Sequence, residues 1–256
     1  MRNVKEVLFS MMMLFCLSSM LLTACGTKDN TDKREEMYEL STKIDESTAE
    51  TYGECGENLK WYYQENTLVI RGTGEMERNY DGWKDYKEEI QQIIIEEGCT
   101  NISNYAFKGF TNLTNITIAD SVTDIGWEAF LNCSGLKELT LPSNLKTIQM
   151  SAFCGCSGLS SIILPDSILT IEATSFSGCN GLTSITIPEG ITTIESKTFS
   201  SCDNLSEIII PDSVTSIGRR AFWDCNNLKE VVIPNENVEI EDEAFPSNTR
   251  ITIGKK

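Results

Sequence analysis

One aromatic residue recurs at a fixed interval of 23 residues along most of this chain. The recurring residues are Phe107, Phe130, Phe153, Phe176, Phe199, Phe222 and Phe245. Self-similarity at a period of about 20 to 50 residues is typical of solenoids, in which each repeat forms one coil and stacks on its neighbours. The period therefore predicts a repeat solenoid, and extended proteins of this kind usually function by binding.

Aliphatic residues keep the same register as the phenylalanines. A leucine lies six residues after the phenylalanine and two aliphatic residues follow it, as in Leu205, Ile208 and Ile210. This L-x-x-L-x-L spacing is that of the strand in leucine-rich repeats. A proline such as Pro211 usually follows and ends the strand, because it has no amide to donate. A second apolar pair precedes the next phenylalanine, so each coil is predicted to turn inward twice around one core.

These motifs resemble the BspA-like class of leucine-rich repeat proteins, in which the strand is followed by P-x-S-V-T-x-I-G-x-x-A-F-x-x-C. Residues 99–245 match that pattern, and the segment IIIPDSVTSIGRRAFWDCNNLKEVVIP matches it best. The resemblance implies a parallel β-sheet on the concave face, with short strands, turns and short helical turns elsewhere. It also points to Gram-positive surface lipoproteins of clostridial type, whose repeats often follow a segment like that containing Cys55, Trp61 and Trp83.

Two segments make up the folded part of the chain. Residues 53–98 are predicted to form an N-terminal cap and the first strand. Leu59 to Tyr63 and Thr67 to Arg71 flank a short polar turn, which indicates a β-hairpin covering one end of the core. Residues 99–256 are predicted to form the leucine-rich repeat solenoid, which ends in a truncated strand from Arg250 to Ile253.

The N-terminus has the pattern of a secretory signal. Arg2 and Lys5 precede an apolar run from Val7 to Leu22, which has the charge and length of a signal peptide. The run ends in Leu-Thr-Ala-Cys and resembles a bacterial lipobox, so residues 1–24 are predicted to be a lipoprotein signal peptide and Cys25 the lipidated residue. The alternative is an ordinary secretory signal that is cleaved nearby.

A polar segment follows the predicted lipidation site. Residues 25–52 are rich in Thr, Lys, Asp, Glu and Ser, so this segment cannot bury enough apolar surface to fold and is predicted to be a flexible tether. Acyl chains on a cysteine hold a protein to a bilayer without any spanning helix. The protein is therefore expected outside the cytoplasm, exposed on the surface and attached to the bacterial cell membrane through lipid only.

Charge and composition exclude several classes of function. The net charge of −17 repels phosphate backbones, which argues against nucleic acid as a partner. The chain contains no histidine, so the usual Ser-His and Cys-His catalytic pairs cannot form. We therefore expect a protein that is not an enzyme, that needs no cofactor and that is a monomer.

The cysteines form a column in the repeat. Cys133, Cys156, Cys179, Cys202 and Cys225 each lie three residues after a repeat phenylalanine. Buried cysteine behaves as a small hydrophobe, so core packing is the favoured interpretation. The spacing of stacked coils lies within the range of a disulfide, so disulfide bonds between cysteines of the column are an alternative that the sequence does not exclude. A zinc site is disfavoured because the chain contains no histidine. No metal site is predicted. Asp120, Asp166, Glu189 and Asp212 form a second column, for which a role in turns is favoured over calcium binding.

The outward residues of the predicted concave sheet form the candidate face. Because side chains alternate along a strand, two outward rows lie between the buried aliphatics. These rows contain Gln92, Asn115, Glu138, Ser161, Ser184, Glu207 and Glu230, and Ile94, Thr117, Thr140, Ile163, Thr186, Ile209 and Val232. The rows suit a shallow surface for a protein bearing Lys or Arg; alternatively they are only good strand formers on a solvated face.

Relatives by resemblance are implicated in adhesion, which gives the main functional hypothesis. The solenoid is expected to recognise an extracellular or envelope protein without covalent chemistry, by adhesion to host or bacterial surface proteins. The alternative is an envelope scaffold that organises another membrane or wall protein of the same cell. Delivery of a polysaccharide to an enzyme is disfavoured, because the candidate face has no aromatic residue. Trp127 and Trp223 lie outside it and are expected to pack against neighbouring coils.

Overall fold

The fold comes from a computed structural model that describes residues 35–254. The predicted signal peptide and Cys25 lie outside the described residues. The described chain divides into two units at residue 43. In the first unit, residues 35–41 are helical, and the Ser41 hydroxyl donates to the Tyr38 carbonyl at 2.7 Å. The second unit, from Ile44 onward, contains all the strands of the described chain.

The strands of the second unit follow the repeat closely. In chain order they are β1 Thr51–Gly56, β2 Asn58–Gln64, β3 Thr67–Thr73, β4 Gln92–Ile95, β5 Asn101–Ile102, β6 Asn115–Ile118, β7 Asp124–Ile125, β8 Glu138–Thr140, β9 Thr147–Ile148, β10 Ser161–Ile163, β11 Thr170–Ile171, β12 Ser184–Thr186, β13 Thr193–Ile194, β14 Glu207–Ile209, β15 Ser216–Ile217, β16 Glu230–Ile233, β17 Glu239–Ile240 and β18 Arg250–Ile253. A 3₁₀-helix covers Lys84–Tyr86, between β3 and β4.

The strands form two parallel arrays along the solenoid. The first begins with the order β1-β2-β3-β4-β6 and continues with the pairs β8 with β10, β12 with β14, and β16 with β18. The second contains two-residue strands in the orders β5-β7-β9-β11 and β13-β15-β17. β1, β2 and β3 are antiparallel, and all other pairings are parallel. The predicted leucine-rich solenoid with an N-terminal hairpin is therefore confirmed.

The phenylalanines form a continuous stack in the core between the two arrays. Neighbouring ring centroids from Phe107 to Phe245 are 4.9 to 5.5 Å apart, and the rings from Phe130 onward lie within 9° of parallel. Offset stacks at this spacing add stabilisation to the burial of the rings themselves. At the N-terminal end, the Trp83 ring continues the stack at 5.3 Å from Phe107. Its indole N–H donates to the Ala106 carbonyl at 2.6 Å.

A left-handed residue precedes every phenylalanine of the stack by two positions. The φ angles are between 53° and 61° at Tyr105, Glu128, Ser151, Thr174, Lys197, Arg220 and Glu243. In the coils of Phe107 to Phe199, three backbone amides per coil donate to carbonyls of the next coil. They belong to the left-handed residue, to the phenylalanine and to the residue two positions after the phenylalanine. Examples are Phe107 to the Ala129 carbonyl at 2.8 Å and Gly109 to the Leu131 carbonyl at 2.6 Å. This third ladder joins the coils where no sheet exists.

The side opposite the first array contains the second array and turns, and within residues 44–254 the 3₁₀-helix Lys84–Tyr86 is the only helix. The turns between the strands contain single i+3→i backbone hydrogen bonds, such as Phe110 to the Phe107 carbonyl at 3.3 Å. The structure differs from the sequence expectation in one segment. The tether prediction is wrong for residues 44–52. Ile44 is 4% exposed and β1 begins at Thr51, because one buried isoleucine and several hydrogen bonds hold a segment that is polar on average. The other segment boundaries stay predictions.

Candidate functional site

The candidate face lies on the outward side of the first array, as the sequence predicted. The two rows keep their register where strands pair: Gln92 pairs with Asn115 and Ile94 with Thr117 in β4 and β6. The same alignment places Ile163 beside Thr140, and Ile209 beside Thr186. Alternate residues such as Leu139, Ile162 and Ile208 face the core and are buried. The strands therefore bring the predicted residues together on one surface.

Most of this surface is open to solvent. The exposed members are Asn115, Glu138, Thr140, Ser161, Ile163, Ser184, Thr186, Glu207, Ile209, Glu230 and Val232. Among them, three large aliphatic side chains are unusually exposed: Ile163 at 63%, Ile209 at 53% and Val232 at 44%. Burial of such side chains in a complex removes apolar surface from water. This part of the face can therefore support association.

Three predicted members of the candidate face are not exposed to solvent as the others are. Gln92 is half-buried, Ile94 is fully buried, and Thr117 is only 7% exposed. All three lie on β4 and β6, at the N-terminal end of the face. The side chains that pair with this region on the outward side, Val69 of β3 and Tyr62 of β2, are also buried. The open part of the face begins beyond that end.

Ion pairs sit at both ends of the face. At the C-terminal end, Arg250 of β18 donates to the carboxylate of Glu230 in β16. At the N-terminal end, Arg71 makes two hydrogen bonds to Glu96, at 2.7 and 2.8 Å, and these bonds raise the pKa of the Arg71 guanidinium. Such a two-pronged contact fixes the guanidinium orientation as well as its charge.

The cysteine column lies inside the core and also forms hydrogen bonds. Cys133, Cys156, Cys179, Cys202 and Cys225 are fully buried and have free thiols. Each Sγ lies 3.0 to 3.3 Å from the carbonyl of the phenylalanine in the preceding coil and donates to it. Burial raises the pKa of Cys133 to about 12 and raises that of Cys179. These neutral thiols are therefore donors as well as small hydrophobes.

In the acidic column, Asp120 makes a backbone contact. The Asp120 carboxylate accepts the Ser143 amide of the next coil at 2.8 Å, which is the turn contact that the sequence favoured. Among the described residues, no group of three or more Cys, Asp or Glu side chains is placed to hold a metal ion.

Two exposed tryptophans lie outside the candidate face. Trp127 is 40% exposed and its ring lies 5.4 Å from that of Tyr105 in the preceding coil. Trp223 is 44% exposed and lies 5.7 Å from the guanidinium carbon of Arg220. Trp127 therefore contacts a neighbouring coil as expected, although part of its side chain stays exposed. The contact between Trp223 and Arg220 lies within a single coil.

Sequence reasoning missed a polar cleft beside the cap. Its volume is about 440 Å³, and it lies between the turn after β3 and the second array. Its walls include the carboxylates of Glu75, Glu77 and Asp124. Asn101 also lines it, but its Oδ1 already accepts the Met76 amide at 2.6 Å. No spacing in the sequence marked this cleft, because the cap and the solenoid meet there without a shared repeat.

The repeat region matches a known family model. Residues 85–172 and 150–253 match the BspA type leucine rich repeat region, in six copies. This chain belongs to the BspA type leucine-rich repeat family.

Two solved leucine-rich repeat proteins resemble this BspA type chain along most of its length. One, from Bacteroides ovatus, is 27% identical with a TM-score of 0.61 and covers 78% of this chain and 52% of its own. The other, a leucine rich cell surface protein from Faecalibacterium prausnitzii, is 29% identical with a TM-score of 0.61 and covers 81% of this chain and 55% of its own. This chain thus spans about half the length of these relatives.

A leucine rich repeat protein of T. pallidum shares the fold. It is 23% identical with a TM-score of 0.53 and covers 70% of this chain and 87% of its own. Among curated proteins, none matches this BspA type chain. Within residues 35–254, none of the helices is long and apolar enough to cross a bilayer.

Proposed function

We propose that this chain is a surface lipoprotein that binds a protein partner through the open part of the candidate face. The exposed Ile163, Ile209 and Val232 carry this proposal, since they place aliphatic side chains on three of the four coils from β10 to β16, on an otherwise polar surface. The family relationship supports the cell surface as its location, because the relative from F. prausnitzii is a cell surface protein. The role that follows is adhesion to host or bacterial surface proteins.

Charge narrows the kind of partner. The net charge is −17, and the open face adds the exposed Glu207 to its aliphatic side chains. A protein surface that carries Lys or Arg beside aliphatic groups complements this arrangement. Opposite charges steer such a partner to the face, and salt reduces that steering. No nucleic acid, cofactor or catalytic step enters this function, and the chain acts as a monomer.

The anchor is the lipid on Cys25, which the L-T-A-C sequence supports. Changing Cys25 to Ser removes the thiol that receives the acyl chains, so the protein should leave the membrane fraction without losing its fold. Fractionation of cells that express the full-length chain tests this, with Cys154→Ser as the matched control. If the Cys25→Ser protein stays with the membranes, the anchor is something else.

The binding experiment uses the full-length chain in detergent against immobilised matrix proteins, mucin and bacterial surface fractions. The test variant carries Ile163→Asp and Ile209→Asp, and the control carries Leu169→Asp, which is 62% exposed outside the candidate face. We expect saturable binding that the double variant loses and the control keeps. Binding that survives the double variant would show that another surface recognises the partner. Binding restricted to fractions of the producing cell would favour the envelope scaffold.

A further inference from the structure

The polar cleft beside the cap carries hydrogen-bonding groups that the fold does not fully use. Its volume of about 440 Å³ lies in the range of sites for small molecules. The cap contributes the turn from Glu75 to Arg78 to its walls, and three successive coils of the solenoid contribute Asn104, Gly126 and Gln149 among other residues. The cleft therefore runs from the cap across three coils.

Backbone hydrogen bonds fix the orientation of two amide side chains in the cleft. Oδ1 of Asn101 accepts the Met76 amide at 2.6 Å, and Oδ1 of Asn104 accepts the Trp127 amide at 3.0 Å. Because only the oxygen of an asparagine side chain can accept a backbone N–H, the Nδ2 groups of both residues are left to donate elsewhere. These donors are held in place before a ligand arrives, which lowers the cost of binding.

Acceptors line the same cleft. Glu75, Glu77 and Asp124 contribute carboxylates. Oδ2 of Asp124 accepts the Thr123 hydroxyl at 2.6 Å, which orients this carboxylate as well. Gln149 adds an amide that can both donate and accept. The cleft therefore offers oriented donors and acceptors together.

An apolar ridge borders the cleft. Its members come directly after the cleft residues of the three coils, and they are Tyr105, Trp127 and Met150. Trp127 is 40% exposed and Met150 is 44% exposed, and the rings of Trp127 and Tyr105 lie 5.4 Å apart. The Tyr105 amide donates to the Trp127 carbonyl at 2.8 Å, so the ridge crosses from coil to coil. Since consecutive Cα atoms are about 3.8 Å apart, the ridge lies at the rim of the cleft.

We propose that the cleft and the ridge form a binding site for a neutral glycan. Each hydroxyl of a sugar both donates and accepts, so it can use the Nδ2 groups and the carboxylates at once. The negative face of an aromatic ring such as that of Trp127 attracts the C–H groups of a sugar ring. The aromatic platform that the candidate face lacks is thus present at a second site, and this proposal does not rest on the proposed function.

The groups in the cleft disfavour charged ligands. Its carboxylates outnumber the basic residue Arg78, so phosphate, sulfate and sialic acid groups are repelled. A cationic side chain can pair with the carboxylates, but it leaves the Nδ2 donors of Asn101 and Asn104 without acceptors. A neutral ligand with several hydroxyls satisfies both sets.

An array of neutral glycans and their sialylated counterparts tests the proposal with the full-length chain in detergent. We expect binding to neutral members and at least about 10-fold weaker binding to the sialylated ones, because the cleft is acidic. Trp127→Ala should weaken binding about 10-fold or more through loss of the ring. The matched control is Trp223→Ala, which removes a tryptophan that is 44% exposed outside the cleft and should leave binding unchanged.

A second variant tests the polar part of the site. Gln149→Leu removes a donor and an acceptor from the cleft while it leaves the Trp127 ring and its contact with Tyr105 in place. It should weaken binding about 10-fold, and it decides the matter if Trp127→Ala does not fold.

Three results would overturn the proposal. They are an array with no bound member, sialylated glycans bound as well as neutral ones, and equal binding by Trp223→Ala and the two site variants. The variant with Ile163→Asp and Ile209→Asp should keep its glycan binding. A failure at the candidate face is therefore distinguishable from a failure at this site.

Discussion

At the scale of single residues, the cysteine column both fills the core and supplies hydrogen-bond donors to backbone carbonyls. The cysteines fill core volume and also donate to the phenylalanine carbonyl of the preceding coil. The residue two positions before each phenylalanine takes a left-handed conformation without being glycine. The sequence predicted that the cysteines are buried. It gave no sign of the left-handed positions, because Tyr, Glu, Ser, Thr, Lys and Arg occupy them and none is a turn signal of the kind glycine provides.

The cysteine hydrogen bond can be separated from cysteine packing at Cys179. Cys179→Ala removes the thiol donor to the Phe153 carbonyl, which still accepts the Cys156 amide at 3.1 Å, so the lost hydrogen bond should cost about 0.5 to 1.5 kcal/mol. Cys179→Ser keeps a donor and should cost less. Urea denaturation of both variants measures the difference. A cysteine that acts only as a small hydrophobe would instead make the alanine variant the more stable one.

Backbone strain predicts a stabilising change at Lys197. Its φ is 58°, a conformation that costs a residue with a side chain about 1 to 2 kcal/mol. Lys197→Gly removes that cost and loses about 0.5 to 1 kcal/mol to chain entropy, so the free energy of unfolding should rise by up to about 1.5 kcal/mol. The control, Glu195→Gly in the same turn, should destabilise. A fall in stability with Lys197→Gly would contradict the account.

At the scale of elements, the cap covers the N-terminal end of the core because it continues the hydrogen-bond ladder and the ring stack of the solenoid. β3 pairs with β4 in parallel, and Trp83 takes the place of a stacked phenylalanine while its indole replaces a backbone donor. The sequence predicted the β2–β3 hairpin and placed Trp83 in the cap. It did not reveal β1 or the buried Ile44, since both lie in a polar stretch rich in charged side chains.

The cap prediction concerns the indole of Trp83. Trp83→Phe keeps a ring against Phe107 but leaves the Ala106 carbonyl unpaired, so it should cost about 1 to 3 kcal/mol. Trp83→Ala also loses the ring and should cost about 3 to 5 kcal/mol. Chemical denaturation of the two variants provides the measurement. Equal costs would mean that the indole hydrogen bond contributes nothing.

At the scale of the whole molecule, one core runs along the solenoid and buries many neutral thiols. Burial raises the pKa from 9.0 to about 12 for Cys55, about 11 for Cys99 and about 12 for Cys133. A raised pKa in the folded state means that the unfolded chain loses protons first as pH rises. The thiol contribution to stability is therefore complete below pH 9 and is lost between pH 9 and about 12.

The free energy of unfolding should therefore fall steeply as pH rises above 9. Each such thiol lowers the free energy of unfolding by about 1.4 kcal/mol per pH unit in this window. Urea denaturation between pH 8 and 11 tests the slope, and Cys133→Ser should make it shallower by about one thiol's share. A stability that is constant up to pH 11 would contradict the assignment of these thiols as neutral and buried.

Across the whole molecule, the repeat produces a regular candidate face, but its N-terminal end is buried and the rest is exposed. The sequence placed both rows of the candidate face on one side, because their spacing follows the repeat. It could not show that Gln92 is half-buried and that Ile94 and Thr117 are buried. The open coils from β8 to β16 are accordingly where we expect a partner to bind.

Photo-crosslinking on intact cells tests that expectation most directly. A benzophenone amino acid replaces Thr186, in the middle of the open face, or Leu169, which is also exposed but lies outside the face. The account predicts a covalent adduct to a surface protein from position 186 and none from position 169. Adducts from position 169 alone, or from both positions equally, would contradict recognition through this face.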